Sequence, residues 1–394
     1  MARAGFIVGQ ERDLRRRLKT ILMDLTLIIV VAVALFFDFT NGFHDTANAI
    51  ATTVSTRAIS PNIAVLGAAI FNFLGAFVSL KVAGTIAKGI VNPDAITLHI
   101  VLAGLMGAII WNLITWRFGL PTSSSHALIG GVIGAAVMSV GWNVVNWHGL
   151  QDKVFIPSII APFLGLLGAG LFMFAILRIV RKRSENSVNK VFRRLQLASG
   201  SFVAFAHGTN DAQKTMGIIA LALLAAHPGQ AFHVPLWVIV SSAAAMAAGT
   251  YIGGWRIINT LGHKITRLEP PQGFAAETAT AVTLGLTAHL GFPVSTTHTI
   301  SGSILGAGAA KRPSVVNWKV VEHIIVAWVI TIPCAALVGA SMEVVTRLSY
   351  GSEAVASVGL LAVLTIFVTR NWSWESLAQF KSRLAPLRRV RRHP

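Results

Sequence analysis

One short string occurs twice in this chain, and any fold it adopts must accommodate both copies. The first is Gly119-Leu120-Pro121-Thr122-Ser123-Ser124-Ser125-His126, the second Gly291-Phe292-Pro293-Val294-Ser295-Thr296-Thr297-His298. Each continues into an apolar run with glycines at matching offsets, Gly130 and Gly134 in one copy, Gly302 and Gly306 in the other. A second pair lies upstream: Asn41-Gly42-Phe43-His44-Asp45-Thr46-Ala47-Asn48 and His207-Gly208-Thr209-Asn210-Asp211-Ala212-Gln213-Lys214. Asp45 and Asp211 stand 166 residues apart, and His126 and His298 stand 172 apart. Two motifs repeated in one order at nearly one offset mark an internal duplication, the arrangement expected of a two-repeat transporter.

Such a chain needs a membrane to live in, and its composition agrees. Hydrophobic residues make up 54% of the 394 and charged residues 12%, against about 25% charged in soluble domains. The reading is an all-α, multi-pass integral protein of the cell membrane. A net charge of +18 would suggest nucleic acid on a soluble protein. Here the basic residues fall in short blocks between apolar segments, as cytoplasmic loops facing anionic lipid do. Lipid is therefore an expected partner and nucleic acid is not. The single cysteine, Cys334, permits no intrachain disulfide and reads as a small buried hydrophobe.

Residues 1–20 are polar and basic and read as an interfacial segment rather than a secretory signal. A first repeat is expected over 21–180. Its opening apolar run, about 21–54, exceeds the roughly 20 residues of a simple span and is interrupted by Asp38, Asn41, His44, Asp45 and Asn48. A helix broken near its middle is predicted. A span at 61–87 follows, then 96–140, read as a re-entrant hairpin with the Gly-Leu-Pro string at its tip. Two full spans joined by an external turn are the alternative. Residues 153–180 span again, and 181–194 form a basic cytoplasmic linker. The second repeat, 195–370, follows the same order: a broken span at 197–226, a span at 236–258, a hairpin at 274–310, and spans at 320–345 and 354–370. A basic tail, 371–394, carries Arg388, Arg389, Arg391 and Arg392. Placing 181–194 inside puts the N-terminus outside and makes the halves inverted relative to each other, as in many secondary transporters.

The motifs suggest anion and cation chemistry side by side. A helix that starts at membrane depth offers unpaired N–H groups and the positive end of its dipole, an anion site in itself. Ser123, Ser124 and Ser125, with Ser295, Thr296 and Thr297, add hydroxyl donors without adding charge. His126 and His298 either donate to the anion, move a proton, or cap and pack. Asp45 and Asp211 are intramembrane carboxylates, a functional-site hypothesis by default. Asn41, Asn48 and Asn210 supply neutral oxygens beside them, a combination suited to a proton or a small hard cation. Glu277 reads as part of the cation or proton path, or as a structural hydrogen-bonding group. Lys214 stands where the first half has Asn48, either pairing with an aspartate or complementing the anion. His44 and Gln213 are accessory members.

Taken together, these strings resemble the inorganic phosphate transporter family, particularly its bacterial low-affinity members. The resemblance is carried by Phe39–Ala49, Ala206–Lys214 and the two Pro-x-Ser-x-x-His strings, and extends from about 24 to 370. It implies an inverted-repeat secondary transporter with broken helices and two re-entrant hairpins. Such a protein moves inorganic phosphate, or a neutral metal–phosphate complex, in symport with a coupling ion. Signature aspartates map onto Asp45 and Asp211, and the hydroxyl-bearing tips onto Ser123–Ser125 and Ser295–Thr297. Sodium-coupled relatives have Asn-Asp-x-x-Asn in both halves. Here His44 precedes the first aspartate and Lys214 replaces the last asparagine, which favours protons over sodium.

No cofactor, resident metal or enzymatic activity is expected, and a second copy of the chain is a candidate partner for a homodimer. The runner-up within transport is a sulfate/proton symporter. From other classes, an intramembrane Ser-His-Asp hydrolase lacks a Gly-x-Ser-x-Gly elbow, and a channel fits poorly with midplane carboxylates beside closed hairpins.

Overall fold

The computed structural model describes residues 2–348, with side chains over 22–347. The side chains of the basic N-terminal segment, the predicted span 354–370 and the basic tail lie outside the described residues. Within them the chain is helical, with one isolated antiparallel bridge between Val91 and Val145.

The helices are α1 (Ala2–Ser55), α2 (Pro61–Gly75), α3 (Lys81–Lys88), α4 (Leu98–Phe118), α5 (Ser124–Val140), α6 (Trp147–Leu150) and α7 (Ile156–Val180). After the basic linker come α8 (Glu185–Ala226), α9 (Leu236–Ile252), α10 (Trp255–Asn259), α11 (Pro270–Leu290), α12 (Thr296–Lys311) and α13 (Trp318–Leu348). A π-helical turn, Gln151–Phe155, joins α6 to α7, and another, Thr260–Lys264, extends α10. Among the described residues, four helical stretches, within α1, α4, α6–α7 and α13, are long and apolar enough to cross a membrane. The bent pair of α9 and α10 makes a fifth.

The predicted breaks fall elsewhere. Both α1 and α8 run unbroken through their aspartates. The expectation equated polar residues at depth with polar backbone, but the polar groups are side chains. Asp38, Asn41, Asp45, Asn48 and Thr52 recur at intervals of three and four, the spacing of one helix face. All five are buried by neighbouring helices, so the backbone keeps its own hydrogen bonds. The interruptions lie instead in the next segment of each half. The expected 61–87 span divides at Ala76–Leu80 into α2 and α3. The 236–258 span bends by 59° between α9 and α10. There Gly253 adopts φ +82°, backbone that glycine tolerates best.

Packing interleaves the halves. Helix α5 lies on α13 and α12 on α7, while α1 packs on α9 and α8 on α2. These pairs exchange under the duplication, and so do their close approaches. Gly134 faces the Ala336 carbonyl and Gly306 the Leu166 carbonyl. Likewise Gly42 meets Met246 and Gly208 meets Asn72. At each of these positions a Cβ would collide with backbone. Glycine therefore sets how closely the helices approach, a common device of helix packing in lipid.

Candidate functional site

Each repeated string builds the same turn. Helix α4 ends at Gly119 (φ +66°) and α11 at Gly291 (φ +79°), both in the left-handed conformation of a helix C-cap. The Leu120 amide then donates to Thr115 O and the Phe292 amide to Thr287 O, both at 2.9 Å. Proline follows, and the chain stays extended until a serine starts the next helix. Ser123 Oγ accepts from the His126 amide at 3.1 Å, and Ser295 Oγ from the His298 amide at 3.2 Å. These two serines are thus N-caps, with their acceptor capacity turned to the backbone. The other four hydroxyl residues, one and two positions on, are free of that duty. Thr122–Ser125 and Val294–Thr297 are all buried within the protein.

The tips meet the aspartate stripes of α1 and α8. Ser124 Oγ donates to Asp45 Oδ2 at 3.0 Å, and Thr297 Oγ1 to Asp45 Oδ1 at 3.4 Å. In the second half, Thr296 Oγ1 donates to Asp211 Oδ2 at 3.4 Å. Asn48 Nδ2 bridges Thr297 Oγ1 (2.9 Å) and Thr296 Oγ1 (3.1 Å). Lys214 Nζ lies 2.5 Å from Asp211 Oδ1 and 3.1 Å from Val294 O, and it also donates to Ser125 Oγ. His44 brackets Asp45, with Nδ1 2.7 Å from Asp45 Oδ1 and Nε2 3.2 Å from Thr115 Oγ1. Asp45, Asp211, His44, Asn48 and Lys214 are each no more than 2% exposed. Buried charges are tolerated when paired and hydrogen-bonded, and here the two carboxylates face one ammonium and a ring of hydroxyls.

Other sequence-selected residues sit around this centre in different ways. Asn210 Nδ2 holds Phe292 O at 3.4 Å, and Gln213 Oε1 accepts from the Val82 amide at 2.9 Å, tying α8 to the tip and to α3. Asn41 is buried on the α1 stripe one turn before Asp45. His126 and His298 meet each other, ring centroids 4.9 Å apart. His126 Nε2 lies 2.7 Å from Ser158 Oγ, and His298 stacks on Trp328. They pack between α7 and α13 and line a lateral apolar groove of about 800 Å³. Glu277 is separate as well. It accepts from Gln196 Nε2 (2.8 Å) and Ser199 Oγ (2.5 Å), and Ser199 lies twelve residues, about 18 Å, before Asp211 along α8.

Sequence reasoning missed His207 as a member of the centre. It is fully buried one helical turn before Asp211, with Nε2 3.5 Å from Asp211 Oδ2 and Nδ1 3.0 Å from Asn72 Oδ1. The i,i+4 spacing within its string was an available signal, whereas nothing local pointed to Asn72. Asp45, His207 and Asp211 each offer a ligand atom, and these atoms lie within 4.8 Å of one another.

Residues 41–339 match the phosphate transporter family. A Mycobacterium bovis protein described as a probable low-affinity inorganic phosphate transporter is 51% identical over 316 residues, 80% of this chain and 76% of that protein. Proteins of the same description from Rhizobium meliloti (50% identical, 81% of this chain, 97% of theirs) and Bacillus subtilis (46%, 81% and 96%) align over similar lengths. Among solved structures, one described as the sodium-dependent phosphate transporter superposes with a TM-score of 0.74. It is 26% identical, over 82% of this chain and 99% of its own. The family and these relatives are transporters, which sets aside the hydrolase reading. A match spanning residues 41–339, supported by relatives at about half identity, places this chain in the phosphate transporter family.

Proposed function

We propose that the chain is a low-affinity inorganic phosphate transporter that moves its substrate across the cell membrane in symport with protons. The supporting observation is that the hydroxyls best placed for an anion are donating to carboxylates: Ser124 and Thr297 to Asp45, and Thr296 to Asp211. Neutralising a carboxylate releases those hydroxyl hydrogens toward the space between the tips. Cation binding thereby prepares the anion site, and by linkage anion binding strengthens cation binding by the same factor. A phosphate dianion entering a negative interior faces about 2.3 kcal/mol per charge per 100 mV, so an accompanying positive charge is required.

Lys214 already supplies one fixed positive charge, which favours protons over sodium as the mobile partner, in contrast to the sodium-dependent structural relative. The carboxylates beside the hydroxyls also favour phosphate over sulfate, since hydrogen phosphate carries a proton to donate and sulfate does not. Asp45, His207 and Asp211 form an oxygen–nitrogen donor set that suits a divalent ion. A metal–phosphate complex fits as cargo, its cation on those three groups and its anion on the tips. In this reading the tips are re-entrant, the halves are inverted about the central site, and Glu277 serves the proton path.

Labelled phosphate uptake into proteoliposomes tests it. An inward proton gradient raises uptake without sodium, and excess sulfate competes weakly. Uptake that follows sodium and ignores the proton gradient overturns the coupling assignment, and equal competition by sulfate overturns the substrate.

A further inference from the structure

Asp211 and Asp45 occupy equivalent positions in the two halves, yet their surroundings differ by one charge. In the second half, Lys214 Nζ sits among Asp211 Oδ1, Val294 O and Ser125 Oγ. These are a carboxylate, a backbone carbonyl and a hydroxyl, drawn from α8, the second tip and the head of α5. An all-oxygen shell with one anionic member is what a small hard cation takes. In the first half the equivalent position is Asn48. Its amide nitrogen makes the matching contact to Thr297, and its Oδ1 has no hydrogen-bond partner although it is buried. An unpaired buried acceptor is costly, and a bound cation would satisfy it. One half therefore carries its cation covalently, while the other presents a carboxylate and a free amide oxygen.

We propose that Lys214 is a built-in cation that takes the place of one mobile coupling cation, so the chain moves phosphate with one cation fewer than it would with a neutral residue there. This rests on the symport reading above. Lys214 pairs with Asp211, whereas Asp45, beside His44, is matched by no lysine or arginine ion pair among the described residues. A single mobile cation beside Asp45 balances it before phosphate adds its own charge. Removing the ammonium leaves two negative charges buried together, and a second mobile cation must fill the vacated shell.

The experiment compares the purified full chain with Lys214→Asn, which gives the second half the first half's residue. Equilibrium binding of radioactive sodium in detergent, with inorganic phosphate present, is expected to show one more sodium per Lys214→Asn chain than per wild-type chain. In proteoliposomes, replacing choline by sodium should leave wild-type uptake unchanged. It should raise that of the variant by a factor in the roughly 5–150-fold range of coupled sites. Lys214→Met, which keeps the aliphatic stem without the charge, is read in the same way should Lys214→Asn fail to fold. Uptake by Lys214→Ala should recover with external methylammonium but not with acetamide, which fills space without charge. Equal sodium binding by wild type and both neutral variants overturns the proposal, as does equal rescue by acetamide. Wild-type uptake that is itself driven by sodium sinks the proton reading alone, because the count of one extra sodium in the variant is unaffected.

Discussion

Lys214 on α8 donates to Ser125 at the head of α5, and the duplication carries that relation onto Asn48 and Thr297, joined at 2.9 Å. Each bond runs from the aspartate helix of one half to the hydroxyl tip of the other. The tips are thereby cross-tied: Asp45 accepts hydroxyls from both strings, whereas Asp211 accepts Thr296 of its own string and reaches Ser125 of the other only through Lys214. What differs is charge. The Lys214 bond is charge-assisted and the Asn48 bond is neutral.

Asp45→Asn and Asp211→Asn each remove a carboxylate that accepts tip hydroxyls, and each should abolish concentrative phosphate uptake while the chain still reaches the membrane. Asp211→Asn should also lower thermal stability, because it strands the Lys214 ammonium at a cost of about 3–5 kcal/mol. Normal accumulation by either variant refutes the coupling role.

Ser124→Ala and Thr296→Ala remove equivalent hydroxyls. A hydrogen bond to a charged group contributes about 1.5–3 kcal/mol, so each variant should raise the half-saturating phosphate concentration roughly tenfold or more. Because both serve one centre, the double variant should depart from additivity. Ser123→Ala should act differently, lowering the melting temperature through the lost cap, about 1 kcal/mol, with a smaller effect on affinity.

Glu277→Gln keeps the shape of a side chain already satisfied by Gln196 and Ser199. Phosphate binding in detergent should be unchanged while proton-driven accumulation falls at least about fivefold, the lower end of site-to-site coupling. Unchanged accumulation would make Glu277 a structural residue holding α11 on α8.

Gly134→Ala and Gly306→Ala place a methyl on the Ala336 and Leu166 carbonyls. Overpacking of this kind costs about 1–3 kcal/mol, so both should melt earlier in detergent. Gly67→Ala on α2 has nothing within 4 Å of the added carbon. It should be neutral or stabilising, as helix propensity favours alanine by about 0.5–1 kcal/mol.

Asn186 is exposed in the first turn of α8, within the basic stretch 181–194. In a Cys334→Ser background, Asn186→Cys should react with a membrane-impermeant maleimide in inside-out vesicles and not in intact cells. Labelling in intact cells reverses the orientation assigned to both halves.

The sequence by itself determined the duplication, the membrane class and the local turns. A glycine that can turn left-handed, a proline that cannot continue the ladder, and a serine that caps three residues on are read within a few positions of one another. It also singled out the two aspartates. It misjudged α1 and α8, where polar side chains at helix-face spacing were taken for a backbone break. Only the tertiary structure decided which tip meets which stripe, that His207 joins the centre, and that His126 and His298 pack on each other instead. Those outcomes depend on partners such as Ser125 and Lys214, 89 residues apart, or Asn48 and Thr297, 249 apart. No local pattern encodes such a distance. The helix packing set by small residues such as Gly134 and Gly306 brings the partners together.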